Sequence, residues 1–119
     1  MRFFISHKFP SLNEYISAMN RNRFKGNQMK QELTNLVAWE CRKNKVKKFN
    51  QVKIYFKWIE KNRRRDPDNL TANSKFILDG LVRAGVIKDD GWDYVKGLYH
   101  DWEIGKGYGV EIKIEEVET

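Results

Sequence analysis

The chain has 119 residues, 40% hydrophobic and 33% charged, with a formal net charge of +7 from 23 Lys and Arg against 16 Asp and Glu. That size supports a hydrophobic core without disulfides or a structural metal, and that balance of apolar and charged residues excludes an intrinsically disordered chain. The positive surplus favours polyanionic partners, nucleic acid ahead of an anionic membrane surface.

Residues 1–6 read as a short first strand. Met1–Ile5 is too short an apolar start for a signal peptide and runs into polar His7 and Lys8, so no secretory leader is expected. Pro10-Ser11-Leu12-Asn13-Glu14 reads as a helix start. Ser11 is placed to cap a free backbone N–H, and Glu14 to reach back to the Ser11 amide. Tyr15, Ile16 and Met19 follow at helical spacing. The polar, basic stretch from Asn20 to Asn27 predicts a break or bend, after which Met29, Leu33, Leu36, Val37 and Cys41 resume the helical period. Cys41 is the only cysteine. It has no partner within the chain and lies on an apolar stripe, so a buried thiol in a reducing cytoplasm is expected.

Val52, Ile54, Phe56 and Trp58 alternate with Lys53, Tyr55, Lys57 and Ile59, the period of a strand with one strongly apolar face. A basic turn follows over Lys61–Asn69. Helical periodicity then runs from Leu70 to Ala84, with Gly85 as a left-handed cap and Val86 and Ile87 folding back behind it. The rest of the chain reads as a hairpin. Tyr94–Glu103 forms one strand, Gly105-Lys106-Gly107 the turn, and Val110, Ile112 and Ile114 mark the second strand. The expected architecture is a single α+β domain over residues 1–119, with two main helices packed on a mixed sheet of about four strands. No apolar run reaches membrane-spanning length, so no membrane is expected as a partner.

The chemistry concentrates between Arg63 and Asp90. Asp66 and Asp68 flank Pro67, which fixes its own φ and holds Asp66 extended, while Asp68 stands at the mouth of a helix. Two carboxylates so spaced suit a hard cation such as magnesium, which takes one or two carboxylates and keeps waters and substrate phosphate for the rest. The same residues are good turn and cap chemistry. Asp89 and Asp90 follow the helix, where a solvated turn is the plain alternative. A helix of about 15 residues is roughly 22 Å long, so the chain must double back to bring Asp90 near the first pair. Lys75 and Asp79 share a helix face, either as a lysine aimed at phosphate or as an exposed ion pair contributing about 0.3–0.5 kcal/mol. Lys57, Lys61, Arg63, Arg64 and Arg65 form the densest basic run beside these acids and are the candidate DNA-binding residues. His7 and His100 lack metal-ligand spacing, no zinc-type cysteine pair exists, and Gly105–Gly109 lacks the strand-to-helix setting of a nucleotide phosphate loop, so no nucleotide cofactor is expected.

Three linked segments carry a family likeness. They are Arg63-Arg64-Arg65-Asp66-Pro67-Asp68-Asn69-Leu70, Lys75-Phe76-Ile77-Leu78-Asp79-Gly80-Leu81, and Ala84-Gly85-Val86-Ile87-Lys88-Asp89-Asp90. Together they resemble the RusA family of Holliday junction resolvases, whose signature is an arginine run, D-x-D-N-L, a helix with K-x-x-x-D-x-L, and A-G-x-x-x-D-D. The match covers about a quarter of the chain. The chain departs from the pattern by extra residues within Leu70–Ser74, and Lys75 is placed by counting back from Asp79.

The resemblance implies a homodimeric, magnesium-dependent endonuclease that resolves four-way junction DNA, with Mn2+ as a possible substitute ion and a bacterial or phage setting. It puts the catalytic residues at Asp66, Asp68, Lys75 and Asp90 and the metal ligands at Asp66, Asp68 and Asp90. Asp79 and Asp89 hold supporting places. A binding protein for branched DNA without cleavage, and a nuclease of the same fold acting on flaps or other branched substrates, are the alternatives.

Overall fold

A computed structural model describes residues 1–117, leaving the last two positions of the expected domain outside the described residues. Alternation along β2 (Val52–Glu60) organises the sheet. Val52, Ile54, Phe56, Trp58 and Glu60 face inward and are buried, while Lys53, Tyr55, Lys57 and Ile59 lie half-buried on the other face. Such a two-sided strand belongs inside a sheet. β2 pairs in parallel with β3 (Val95–Ile104) and antiparallel with β4 (Gly109–Glu116), and β4 pairs antiparallel with β1 (Arg2–Ser6). The order is β1-β4-β2-β3.

That order corrects the expected C-terminal hairpin. β3 and β4 have the predicted positions in sequence but are separated in space by β2. The physical reason lies in their side chains. Val110, Ile112 and Ile114 are buried and need neighbours on both edges, whereas most of β3 is exposed or half-exposed and suits an edge. The connection after β3 therefore crosses the end of β2, where the Gly105 amide donates to the Glu60 carbonyl at 2.8 Å.

α1 (Leu12–Arg21) and α2 (Arg23–Lys43) are split at Asn22, whose extended backbone ends one helix and whose side chain caps the next, as the polar stretch suggested. Ser11 caps α1, its Oγ accepting from the Glu14 amide at 3.1 Å. α3 (Pro67–Thr71) is a single short turn, and α4 (Ser74–Arg83) follows after a two-residue break. The helices supply Leu33, Val37, Cys41, Ile77 and Leu81 to one core shared with Ile5, Ile54, Phe56, Trp58, Ile112 and Ile114 of the sheet. α4 packs closely on α2 because Gly80 has no side chain, and a Cβ there would stand 2.4 Å from Val37 Cβ.

Gly85 ends α4 as expected, at φ +77°. Its amide donates to Val82 and that of Val86 to Leu81, which closes the helix and turns Val86 and Ile87 into the core. The chain then runs back along the helix it has just left. No helix among the described residues is long and apolar enough to cross a membrane.

Candidate active site

The basic turn after β2 is built around an ion pair that the sequence did not announce. Arg65 donates from Nε to Glu60 Oε1 and from Nη2 to Glu60 Oε2, both at 2.8 Å, and from Nη1 to the Phe9 carbonyl at 2.6 Å. The two side chains are only 15% and 11% exposed. The hydrogen bond to Glu60 holds the guanidinium above its ordinary pKa against the opposing effect of burial. Arg65, expected among the DNA-binding residues, is therefore a structural clamp between β2, the turn and the segment before α1. A guanidinium with its fork filled has little left for a phosphate.

Arg63 and Arg64 are exposed. Lys61 lies over the Tyr108 ring, 5.5 Å from its centroid. Lys57 occupies the opposite face of β2 from Trp58 and lines a separate shallow cavity with Tyr55 and Glu111, so it is not gathered with the arginines.

Pro67 starts α3 at its first turn, and Asp66 sits at the N-cap in the extended conformation that a following proline favours. Its carboxylate makes no capping bond. Asp66 and Asp68 are both exposed, and among the described residues neither carboxylate takes part in an ion pair or a side-chain hydrogen bond. The break after α3 falls at Ala72 and Asn73, within the segment where the chain departs from the RusA pattern. Buried Asn73 fixes it by donating from Nδ2 to the carbonyls of Pro10 at 2.7 Å and Leu70 at 3.1 Å. The continuous helix expected from Leu70 is thus two pieces, and Lys75 stands in the first turn of the second.

From there Lys75 bridges two acids. Its Nζ lies 3.1 Å from Asp79 Oδ1, one turn along α4, and 3.2 Å from Asp90 Oδ2, fifteen residues along the chain. The hydrogen bonds to Asp79 and Asp90 raise the Lys75 pKa, so the amine stays cationic. The doubling back of the chain after Gly85 is what returns Asp90 to the start of α4. Asp89 is exposed beside it.

The expected gathering of all three carboxylates is not present. No group of three ligating side chains stands close enough to hold a metal ion among the described residues. Asp66 lines a cavity with Trp58 and Trp102, and Asp90 lines another with Trp92 and Leu98. Asp90 has its counter-ion in Lys75, while Asp66 and Asp68 are solvated. The donors themselves suit magnesium, a hard cation content with one or two protein carboxylates, and the unpartnered Asp66–Asp68 pair meets that need.

Cys41 is buried in the core, its thiol pushed up to about 12 mainly by desolvation, which removes it as a nucleophile. His100 accepts at Nδ1 from the Trp58 indole N–H at 3.0 Å, so it belongs to the sheet and not to a metal site. Sequence reasoning passed over Glu60, for which a carboxylate in phase with the buried face of β2 was the available signal. Trp102 reads from the sequence as a core or interface residue, and the structure leaves it 42% exposed on edge strand β3. No protein-family model matches the chain, and no curated protein matches it significantly.

Proposed function

We propose that this protein is a magnesium-dependent structure-specific endodeoxyribonuclease that, as a homodimer, resolves four-way DNA junctions by paired symmetric cuts. The observation that carries the reading is the return of Asp90 to Lys75. It joins two of the three segments that resemble the RusA signature, and nothing in a merely solvated turn requires it.

Asp66 and Asp68 would hold the ion, which when bound would supply a Lewis acid at the phosphate and a water of lowered pKa, while Asp90 holds Lys75. Lys75 offers a fixed positive charge for the negative charge on the non-bridging phosphate oxygens and the leaving oxygen. Asp79 orients that amine from the same helix face. Arg63, Arg64 and Lys61 attract the backbone, with Arg65 holding their turn in place. Two cuts related by a two-fold axis need two equivalent sites, which a symmetric dimer supplies.

A second reading has an observation in its favour. Asp90 is engaged by an ammonium and forms no three-ligand group with Asp66 and Asp68, as a non-cutting protein that binds branched DNA could tolerate. Asp68→Asn on a four-way junction with Mg2+ separates the two. Loss of cleavage with binding intact is the result expected of a nuclease. Cleavage at the wild-type rate removes Asp68 from the chemistry.

A further inference from the structure

Beside Asp66 lies a cavity of about 450 Å3 whose composition does not suit a phosphate. Its apolar lining includes Trp58 and Leu70, each 2% exposed. Trp102 also lines it, 42% exposed although it is among the largest apolar side chains of the protein. The charged lining is Glu60, Asp66 and Glu103 against Arg63 and Arg65; Arg65 is already neutralised by Glu60, which leaves Asp66 and Glu103 against Arg63 beside Asn62. That balance disfavours a phosphate, while an apolar slot edged with hydrogen-bonding groups accepts a flat, neutral heterocycle.

The aromatic side chains point the same way. Across β2 and β3, Phe56 and His100 stack with centroids 4.8 Å apart and planes 10° from parallel. Trp58 and His100 are 6.2 Å apart at 14°, their rings locked by the indole hydrogen bond. His100 and Trp102 follow at 6.4 Å and 22°. The ladder thus runs from the buried core to Trp102 at the mouth of the cavity. Nucleases that work at branched DNA meet bases already poorly stacked, and aromatic rings receive such bases without regard to sequence.

We infer that this cavity receives an unstacked nucleobase of the bound DNA strand, stacked on Trp102, with its edge groups facing Asn62 and Glu103. The inference rests on the nuclease reading and adds to it the subsite that seats the strand next to Asp66. A strand anchored there is held by a base on one side of the carboxylate pair and by Arg63 and Arg64 on its phosphates.

The probe is a four-way junction carrying 5-iododeoxyuridine near the branch point, irradiated with the full-length protein in EDTA so that no cutting occurs. Photocrosslinking of that base is most efficient to an aromatic ring stacked against it. A crosslinked peptide containing Trp102 is the expected product. A crosslink confined to Trp39 or Trp92, or none at all with bound junction, overturns the inference. Trp102→Ala should weaken binding of a short single-stranded oligonucleotide by about tenfold, and Trp102→Phe should restore most of it. Equal loss in both variants, with folding intact by circular dichroism, also counts against the subsite. Cleavage is scored separately with Mg2+. A protein that crosslinks at Trp102 but never cuts defeats the nuclease reading alone, and one that cuts without the crosslink defeats the subsite alone.

Discussion

The Lys75 ammonium lies 3.2 Å from a carboxylate oxygen of Asp90, which follows it by fifteen residues and the remaining length of α4. The contact exists because a left-handed glycine and two buried aliphatic residues turn the chain back on itself. Lys75 is 59% exposed, so the contact adds little to stability. Lys75→Met should therefore change unfolding free energy by less than about 1 kcal/mol. Its effect on cleavage should be a loss of about a hundredfold or more, as for other fixed charges aimed at a transition state. Urea melts and initial rates with Mg2+ separate the two effects. A destabilised protein, or one that cuts normally, would contradict the role given to Lys75.

Arg65 and Arg63 should behave as opposites despite standing two residues apart. Arg65→Ala leaves Glu60 nearly buried and unpaired, at a cost of about 3 kcal/mol. Arg63→Ala should leave the melt unchanged. It should weaken DNA binding and reduce the slope of log affinity against log salt by about 0.9. Denaturant titration and binding at several salt concentrations test both. A stable Arg65→Ala protein would remove the clamp.

Gly80 should tolerate no side chain. Gly80→Ala puts a methyl carbon against Val37 and the Thr34 carbonyl, at 2.4 Å and 3.0 Å, so α2 and α4 must move apart. A loss of about 1–3 kcal/mol is expected, since overpacking of this kind strains a close contact. Thermal denaturation of the variant gives the answer, and an unchanged midpoint would mean the helices pack less closely than described.

Most of the fold was legible where side-chain period and burial agree. The alternation from Val52 to Trp58, the Ser11 cap and the Gly85 cap each state their local structure through chemistry that acts within a few residues. The strand order was not legible. Val110, Ile112 and Ile114 alternate equally well in a hairpin and in an interior strand, and only the competition for two covered edges decides between them. The break at Asn73 was hidden for a similar reason, since its hydrogen bond to Pro10 spans 63 residues. In the candidate site, helix spacing gave Lys75 with Asp79, whereas the place of Asp90 depended on a loop path that no local rule dictates. Arg65 looked like its neighbours in a basic run because its partner, Glu60, belongs to the preceding strand.

Stability should fall in mild acid. Burial lowers the pKa of His7 and His100 below the ordinary 6.5, and the Trp58 N–H pointing at His100 Nδ1 requires the neutral ring. As pH drops below about 6.5 the unfolded chain takes up protons that the folded chain refuses, so their contribution is full above that value and is lost toward the lowered folded-state values. Replacing His100 with Phe should flatten part of this dependence in melts between pH 7 and pH 5. An unchanged slope would place the effect elsewhere.

Magnesium should stabilise the folded protein if the acids hold it, because a ligand that binds only the folded state raises its melting temperature. The rise should vanish in Asp66→Asn and Asp68→Asn and persist in Asp89→Asn. A shift of equal size in all of these proteins would mean that the ion binds elsewhere.

The most direct measurement is incubation of the wild-type protein with a mobile four-way junction, with and without Mg2+, and mapping of the products on a sequencing gel. Magnesium-dependent nicks, paired symmetrically across the branch point on strands of like polarity, are the predicted result. Tight, salt-sensitive binding of the junction with every strand left intact would contradict it.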